Sequence, residues 1–275
     1  MATKEGYVAQ APRKKEGDGV TTRGRKPPRS PEIDVIYEDE GYVVVNKPAD
    51  VRMDGEFDVT VEKLVRAHMT KKDATWEKEG KIRFVHQLDY ATSGVLLLAL
   101  TRPAAAFTCK QFERRTVQKK YLALVYGTIP PGTYKYDEHI ANQPGLDFRM
   151  TVGTSSNPGR SALTYCTPVG YGEYLGKRVT KVLLEPSSGR RHQLRVHLLT
   201  AGFPIVGDAT YALDSELGPD DPSTPPRMFL HAWNLLIKLP APIGFRLFET
   251  EDPFKGFVEL SPSPPADFSA LVSLA

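Results

Sequence analysis

Two polar segments carry the side chains that could do chemistry. The first, HQLDYATSG at residues 86–94, lies between two short apolar runs and offers one carboxylate, Asp89. A loop that follows a buried strand can present such a carboxylate to a pocket. The second, SGRRHQLRVH at residues 188–197, contains Arg195 among apolar neighbours. An arginine on a buried helix face needs a carboxylate, so we expect Arg195 to pair with Asp89.

This expected pair has two interpretations. An adjacent guanidinium keeps a carboxylate ionised and fixes its orientation, and both are requirements of an aspartate nucleophile. The same pair could instead only lock two elements of the structure together. Spacing alone favours the structural role, so the chemistry needs support from other parts of the sequence.

Other catalytic patterns are missing from the sequence. His192 and His197 are five residues apart, whereas two metal ligands on one helical face are four apart, so we expect no metal site. The sequence has no GxGxxG, no P-loop and no nucleophile elbow for a catalytic serine. The two cysteines, Cys109 and Cys166, do not form a CxxC. A disulfide framework and a cysteine zinc site are therefore excluded, and we expect a reducing, intracellular environment.

The composition indicates one globular domain with tails. The 275 residues are 40% hydrophobic and 25% charged, and no apolar run approaches the length of a membrane span. Residues 1–30 carry a net charge of +5, and the rest of the chain carries −2. We expect 1–30 to be a disordered basic tail that attracts polyanions, although it could also be solvated with no target. The globular domain is expected at 31–260 and a C-terminal tail at 261–275.

The elements that must position these segments are short strands and a few helices. A hairpin is predicted around the acidic turn at 38–41, and short strands and loops are predicted over 127–174. Because strands outnumber helices and many turns are too short for a crossover helix, we expect an α+β fold with a mainly antiparallel mixed β-sheet and flanking helices. Helices are predicted at 60–70, 103–116 and 194–199, and further strands at 82–85, 95–100, 121–126, 180–185 and 229–239.

Five segments of the chain resemble the RluA-type pseudouridine synthases. HQLDYATSGVLLL at 86–98 resembles the signature H-R-L-D-x-x-T-S-G followed by aliphatic residues. The other four are VVNKP at 44–48, KKYLALV at 119–125, SGRRHQLRVH at 188–197 with GFPIVGD at 202–208, and LHA at 230–232. They occur in the family's order and cover about 33–258. The chain is most similar to the eukaryotic branch called RNA pseudouridylate synthase domain-containing.

The resemblance implies the pseudouridine synthase fold with a catalytic cleft and an isomerase that needs no cofactor. Such enzymes convert uridine in RNA to its C-glycoside isomer. Asp89 matches the catalytic aspartate, and Arg195 matches the arginine paired with it. Tyr121 matches the tyrosine that packs on uracil and assists removal of the C5 proton. The residues that match or adjoin the substrate-binding segments are His86, Gln87, Thr92, Arg190, His192 and, as the pocket wall, Leu194.

The expected partner is RNA, either rRNA or tRNA and also within a ribonucleoprotein. Four basic residues beside the catalytic segments are candidates for contacts with the RNA backbone, namely Arg114, Arg115, Lys119 and Lys120. Gln87 stands where the family has an arginine, so extrusion of the base or the choice of target could differ. We expect a monomer that binds no membrane and works in the cytoplasm or nucleus, with the mitochondrion as an alternative.

Two other functions are compatible with parts of the sequence. A non-catalytic RNA-binding or ribosome-assembly factor could retain the synthase fold, and Gln87 and the basic tail leave room for it. An aspartate-dependent nucleoside hydrolase would need a second carboxylate placed to activate water, which the sequence lacks. Intact Asp89, Tyr121 and Arg195 favour the enzyme.

Overall fold

The computed structural model describes residues 32–146, 148–211 and 223–264. The expected basic tail at 1–30 and most of the expected C-terminal tail lie outside these residues. None of the helices in the described ranges is long and apolar enough to cross a lipid bilayer. The elements in chain order are β1 (Asp34–Glu38), β2 (Tyr42–Lys47), α1 (Val61–Lys72), α2 (Trp76–Glu79), β3 (Arg83–Phe84), β4 (Ser93–Ala99), α3 (Arg102–Glu113), β5 (Gln118–Tyr126), β6 (Tyr134–Tyr136), β7 (Ile140–Asn142), β8 (Met150–Val152), β9 (Thr164–Tyr174), β10 (Lys177–Pro186), α4 (Gln193–Thr200), β11 (Leu230–Leu239) and β12 (Gly244–Glu249).

Ten of the described strands form one mixed sheet. Eight of them follow the order β1-β2-β4-β11-β5-β10-β9-β6, while β3 pairs with β4 and β12 pairs with β11. Within the described residues the pairs of this sheet are antiparallel except β4 with β11, where Ser93 and Gly94 lie opposite His231 and Ala232. Strands β7 and β8 form a separate two-stranded sheet. The predicted α+β fold with a mainly antiparallel sheet is confirmed.

Gly94 makes the parallel contact between β4 and β11 possible. Its φ is +113°, and a Cβ atom there would lie 2.2 Å from the carbonyl oxygen of Ala232. No side chain fits at that distance, so only glycine allows the two backbones to approach. The glycine of the TSG sequence therefore joins the strand after the Asp89 loop to the middle of the sheet.

Both faces of β4 are covered, which explains its uninterrupted apolar sequence. Leu96 and Leu98 belong to the apolar cluster that contains Val61 and Val65 of α1. The alternate residues Val95, Leu97 and Ala99 belong to the cluster packed against α3. Further along the sheet, α4 packs Leu194 and Leu198 on β5 and β10. The segments around 86–92 and 188–195 therefore rest on a rigid core.

Most of the predicted elements are present with adjusted ends. Helix α1 begins after Thr60, whose hydroxyl accepts a hydrogen bond from the Lys63 amide at 3.1 Å, as its sequence indicates. Helix α3 ends at Glu113 rather than at 116, because Arg115 adopts a left-handed conformation with φ of 57°. Helix α2 and strand β12 were not predicted.

The prediction of only short strands over 127–174 was wrong for its second half. Strand β9 has eleven residues and pairs along its length with β10. Its one proline and two glycines hide the strand pattern. The pairing register shifts opposite Lys181 and Val182, where Val169 is an extra residue beside Pro168. This bulge lets a strand that contains proline remain in the sheet.

Candidate active site

A buried lysine holds the loop that carries Asp89. The Lys47 ammonium at the end of β2 donates to the carbonyl oxygens of Pro48, Tyr90 and Thr92 at 2.8–2.9 Å. Burial lowers the pKa of Lys47 to about 7, although the negative charges of Asp50 and Asp89 act to raise it. Two of the three acceptors lie in the loop between β3 and β4. Lys47 therefore fixes the backbone immediately after Asp89, a role that the sequence did not reveal.

Arg195 on α4 has two carboxylate partners. Its Nε donates to Asp208 Oδ2 at 2.7 Å and its Nη2 to Asp208 Oδ1 at 2.8 Å. Its Nη1 donates to Asp89 Oδ2 at 3.2 Å. The expected pairing with Asp89 is present, and Asp208 is a second partner that the sequence analysis did not assign to Arg195. The GFPIVGD segment that contains Asp208 was visible in the sequence, and a charge match to Arg195 could have been sought there.

The two carboxylates differ in access. The Asp208 side chain is 1% exposed, whereas the Asp89 side chain is 25% exposed. Burial alone would lower the pKa of Arg195, but Asp208 and then Asp89 raise it above its ordinary value, so the guanidinium stays charged. Asp208 compensates this buried charge, and the partly exposed Asp89 side chain lines the cavity.

The turn before α4 is held by one glutamine. The Gln193 Oε1 accepts from the Ser188 hydroxyl at 2.7 Å and from the Arg190 amide at 3.0 Å. Its Nε2 donates to the Leu163 carbonyl and the Thr164 hydroxyl. Because every polar atom of this side chain is engaged with the segment around it, the start of α4 and hence Arg195 have a fixed position.

Tyr121 and Leu194 form the apolar side of the site. Both belong to the cluster that includes Ala91, Met228 and Leu230, and all five residues line the same cavity. Burial raises the pKa of Tyr121, and the nearby negative charge of Asp89 raises it further. The phenol is therefore protonated at neutral pH.

The predicted loop residues have different environments. His86 Nε2 accepts from the Leu97 amide at 3.0 Å, and its ring stacks on Phe112 with centroids 4.8 Å apart. Burial lowers the pKa of His86 to about 3, so the ring is neutral and ties the loop to β4 and α3. Gln87 is exposed on the cavity wall. Thr92 also lines the cavity but is 2% exposed, and its amide donates to the Asp89 carbonyl.

His192 is connected to a tyrosine that sequence reasoning missed. It precedes α4 in a left-handed conformation with φ of 54°. Its Nδ1 lies 2.9 Å from the Tyr211 hydroxyl, and the Arg195 guanidinium lies 4.9 Å from the centre of the Tyr211 ring. Burial lowers the pKa of His192 to about 4. Tyr211 also accepts from the Met150 amide, so it links the β7–β8 hairpin to the arginine.

The predicted basic residues divide into two groups. Arg115, Lys119 and Arg190 line the cavity. Burial, followed by the charge of Arg115, lowers the pKa of Lys119 to about 8, and its ammonium donates to the Ser188 carbonyl at 2.9 Å. By contrast, Lys120 pairs with Glu185 at 3.4 Å, and Arg114 is exposed just after α3 ends.

These residues surround a cavity of about 1930 Å³. Pockets for small ligands are typically ~300–1000 Å³, so this one has room for several nucleotides. Among the described residues, no group of three or more His, Cys, Asp or Glu side chains is arranged to hold a metal ion. The site therefore consists of an accessible carboxylate, a fixed arginine, an apolar wall with a protonated phenol, and a basic rim.

Comparison with known proteins identifies the family. A family profile described as RNA pseudouridylate synthase matches residues 41–200, which include Asp89, Tyr121 and Arg195. The chain belongs to the RNA pseudouridylate synthase family. The expected RluA-type family and enzyme class are confirmed, and this pseudouridine synthase is an isomerase.

Similar proteins cover most of the chain. RNA pseudouridylate synthase domain-containing protein 1 of Danio rerio is 40% identical over 215 residues, which span 75% of this chain and 71% of the relative. Dual-specificity RNA pseudouridine synthase RluA of Escherichia coli K12 is 32% identical over 221 residues, which span 78% and 91%. The solved structure of human RNA Pseudouridylate Synthase Domain Containing 1 has a TM-score of 0.72 at 32% identity, covering 91% of this chain and 97% of that one. The fold of this synthase is therefore that of its relatives.

Proposed function

We propose that this synthase isomerises specific uridines in structured RNA, either rRNA or tRNA, to pseudouridine through Asp89. One observation carries the proposal. Asp89 is an accessible carboxylate on the wall of a large cavity, held 3.2 Å from an arginine whose charge is already compensated by Asp208. Such a carboxylate is oriented but not sequestered, as a nucleophile or base must be.

The reaction moves one bond of the sugar from N1 to C5 of the base. Asp89 either bonds to C1′ or takes a proton from C2′ to give a glycal, and in both routes the C1′–N1 bond breaks. The detached uracil then rotates and C5 bonds to C1′. In the first route the Asp89–C1′ bond breaks in this step, and in the second route Asp89 returns its proton to C2′. The C5 proton then leaves and N1 gains a proton. Atoms and charge balance without an added oxidant or cofactor, because product and substrate are isomers.

Tyr121 contributes mainly through its ring, which packs on the uracil beside Leu194. Its raised pKa makes the phenol a poor base while Asp89 is ionised. Asp89 is a carboxylate again once C5 has bonded to C1′, so Tyr121 is still a protonated phenol when the C5 proton leaves. Tyr121 therefore assists this step by holding the base in place.

The target base must leave its stack to reach Asp89, which costs a few kcal/mol. The apolar wall formed by Tyr121, Leu194 and Met228 recovers part of this free energy by burying the extruded base. Gln87 is exposed at the cavity and can hydrogen-bond a base left without its partner, but it brings no charge toward the phosphates.

The phosphates of the RNA are bound by three arginines that line the cavity, Arg115, Arg160 and Arg190. The pKa of Arg190 is lowered first by burial and then by the charges of Arg160 and Arg115, so the three guanidinium groups act on one another. Like charges held close together in a cavity wall are stabilised by an anion placed between them. These three residues are therefore proposed to bind the RNA backbone beside the target uridine.

The test compares Asp89→Asn with wild type and with Asp137→Asn. Asp137 is exposed and pairs with Lys135 at 2.6 Å, so it is a matched control outside the cavity. Pseudouridine is mapped on RNA from cells that lack the protein, after incubation with each purified variant. We expect sites formed by wild type and Asp137→Asn but not by Asp89→Asn, with similar RNA affinity for all three. If no site forms but the null cells have a ribosome defect that Asp89→Asn rescues, the chain is a non-catalytic RNA-binding or assembly factor.

A further inference from the structure

The loop between β2 and α1 is held by hydrogen bonds to the first turn of α1. The Arg52 carbonyl accepts from the Val61 amide at 2.9 Å, and the Met53 carbonyl accepts from the Glu62 amide at 3.0 Å. The Lys63 ammonium donates to the carbonyl of Phe57 at 2.6 Å. Because the first turn of α1 holds both sides of this loop, the positions of its side chains depend on a rigid helix.

Three planar groups meet where this loop faces the cavity. The guanidinium carbon of Arg52 lies 4.1 Å from the centre of the Phe57 ring and 5.3 Å from the centre of the Tyr90 ring. All three residues line the cavity, and Tyr90 is the residue next to Asp89. Stacking on aromatic rings keeps the guanidinium in one plane and orientation.

Phe57 remains 46% exposed although its ring already contacts Arg52. An isolated exposed phenylalanine needs no explanation, but this one lies on the wall of a cavity and carries a cation on its face. Nucleobases stack on aromatic rings and on guanidinium planes, and the arginine charge also attracts the adjoining phosphate. A small anion would be attracted by the charge of Arg52 but would not stack on the Phe57 ring. The two side chains together therefore suit a nucleotide better than a small anion.

We propose that Arg52 and Phe57 stack on a nucleobase that flanks the target uridine. This inference rests on the proposed function for the position of that uridine at Asp89. The loop is tied to Asp89 through Tyr90, so a base stacked on Phe57 fixes how far along the strand the uridine at Asp89 lies. The pair therefore contributes to the choice of target as well as to affinity.

The chain offers a matched control on another part of the sheet. Lys238 lies 5.8 Å from the centre of the Phe245 ring, and Phe245 is 71% exposed at the start of β12. Lys238 is eight positions along β11 from Leu230, which lines the cavity, and this is about 26 Å of extended strand. Phe245→Ala removes an exposed phenylalanine beside a cation without altering the cavity.

The experiment measures binding of RNA hairpins whose loop contains one uridine, with each flanking nucleotide in turn made abasic. Affinity is read from fluorescence anisotropy of a label at the end of the stem. We expect one abasic flank to weaken wild-type binding about tenfold, within the range of base–aromatic stacking. Phe57→Ala should bind the intact hairpin about tenfold more weakly and lose this sensitivity. Phe57→Tyr, which keeps the ring, and Phe245→Ala should behave as wild type.

Arg52→Lys and Arg52→Ala separate the planar group from its charge. We expect Arg52→Lys to retain the salt dependence of binding but to lose most of the sensitivity to the abasic flank, whereas Arg52→Ala should lose both. The proposal is overturned if wild type binds all abasic hairpins as tightly as the intact one, or if Phe57→Ala retains the wild-type sensitivity. If the sensitivity is as expected but wild type forms no pseudouridine in any RNA, the proposed function fails while the stacking site stands.

Discussion

Arg195 binds Asp208 through two nitrogen atoms and binds Asp89 through only the third. The two carboxylates are thus unequal partners of one buried guanidinium. Asp208 supplies the permanent compensation of charge, so Asp89 can lose its own charge during a reaction without leaving the arginine unpaired. This arrangement separates the stability of the site from its chemistry.

Asp208→Asn should destabilise the protein strongly. The substitution leaves Arg195 buried with one weaker carboxylate partner, and breaking a buried pair costs roughly 3–5 kcal/mol. Urea unfolding measures the free energy of unfolding. Asp137→Asn, at an exposed pair, is the control and should leave the free energy of unfolding nearly unchanged. Equal unfolding free energies for the two variants would contradict the assigned role of Asp208.

Lys47→Met should lower both stability and turnover. It leaves the carbonyl groups of Pro48, Tyr90 and Thr92 without their buried donor, and an unsatisfied group costs roughly 1–3 kcal/mol. The loop that presents Asp89 would also shift, so kcat should fall more than KM rises. Pseudouridine formation and urea unfolding are measured beside Lys71→Met, an exposed lysine in the last turn of α1. A kcat equal to that of Lys71→Met would refute the positioning role.

The free energy of unfolding should fall between pH 6.5 and about 4. Burial, followed by the charge of Arg227, lowers the pKa of His231 from 6.5 to about 4, and burial also lowers the pKa values of His86 and His192. In this range the unfolded chain binds protons that the folded chain does not, so acid favours unfolding. The contribution of His231 is ~3 kcal/mol at most.

Urea unfolding at a series of pH values tests this linkage. His231→Gln should have a shallower decrease in stability between pH 6.5 and 4 than wild type. His139→Gln replaces an exposed histidine and serves as the control. A slope for His231→Gln that matches the control would show that His231 does not contribute.

Deletion of residues 2–30 should weaken RNA binding and make it less dependent on salt. These residues carry a net charge of +5, whereas the rest of the chain carries −2, and each phosphate neutralised by a basic side chain adds to the salt dependence. The slope of log affinity against log salt concentration is measured for the full chain and the deletion variant. A variant with the eight Lys and Arg of the tail changed to Gln distinguishes charge from length. An unchanged slope would show that the tail does not bind RNA.

The sequence patterns predicted the elements that present the site. Periodicity located α1 and α4, and the apolar runs located β4 and β5, because these elements bury one or both faces in the core. Arg195 and Asp89 were recognised because a charged residue among apolar neighbours requires a partner. Strand β9 was missed because a bulge tolerates residues that normally end a strand.

Other parts of the site depend on contacts that sequence patterns do not encode. Lys47 acts on backbone carbonyl groups, which every residue possesses, so nothing in the sequence identifies its partners. Asp208 reaches Arg195 through a turn at Gly207, whose φ of +70° brings the next residue back over α4. The stack of Arg52 on Phe57 depends on the closed loop, whose geometry is set by hydrogen bonds to α1.

The position of β11 in the sheet has a consequence for how the enzyme is made. This strand lies between β4 and β5, and its His231 contacts Ser93 across 138 positions of sequence. A nascent chain that ends before β11 has the strand after Asp89 and the strand of Tyr121 already synthesised, but nothing joins them. Such a high contact order makes closure of the sheet a late and slow step. Catalysis therefore begins only when β11 has left the ribosome, and a premature stop codon before residue 230 gives a protein with unpaired strand edges and no assembled site.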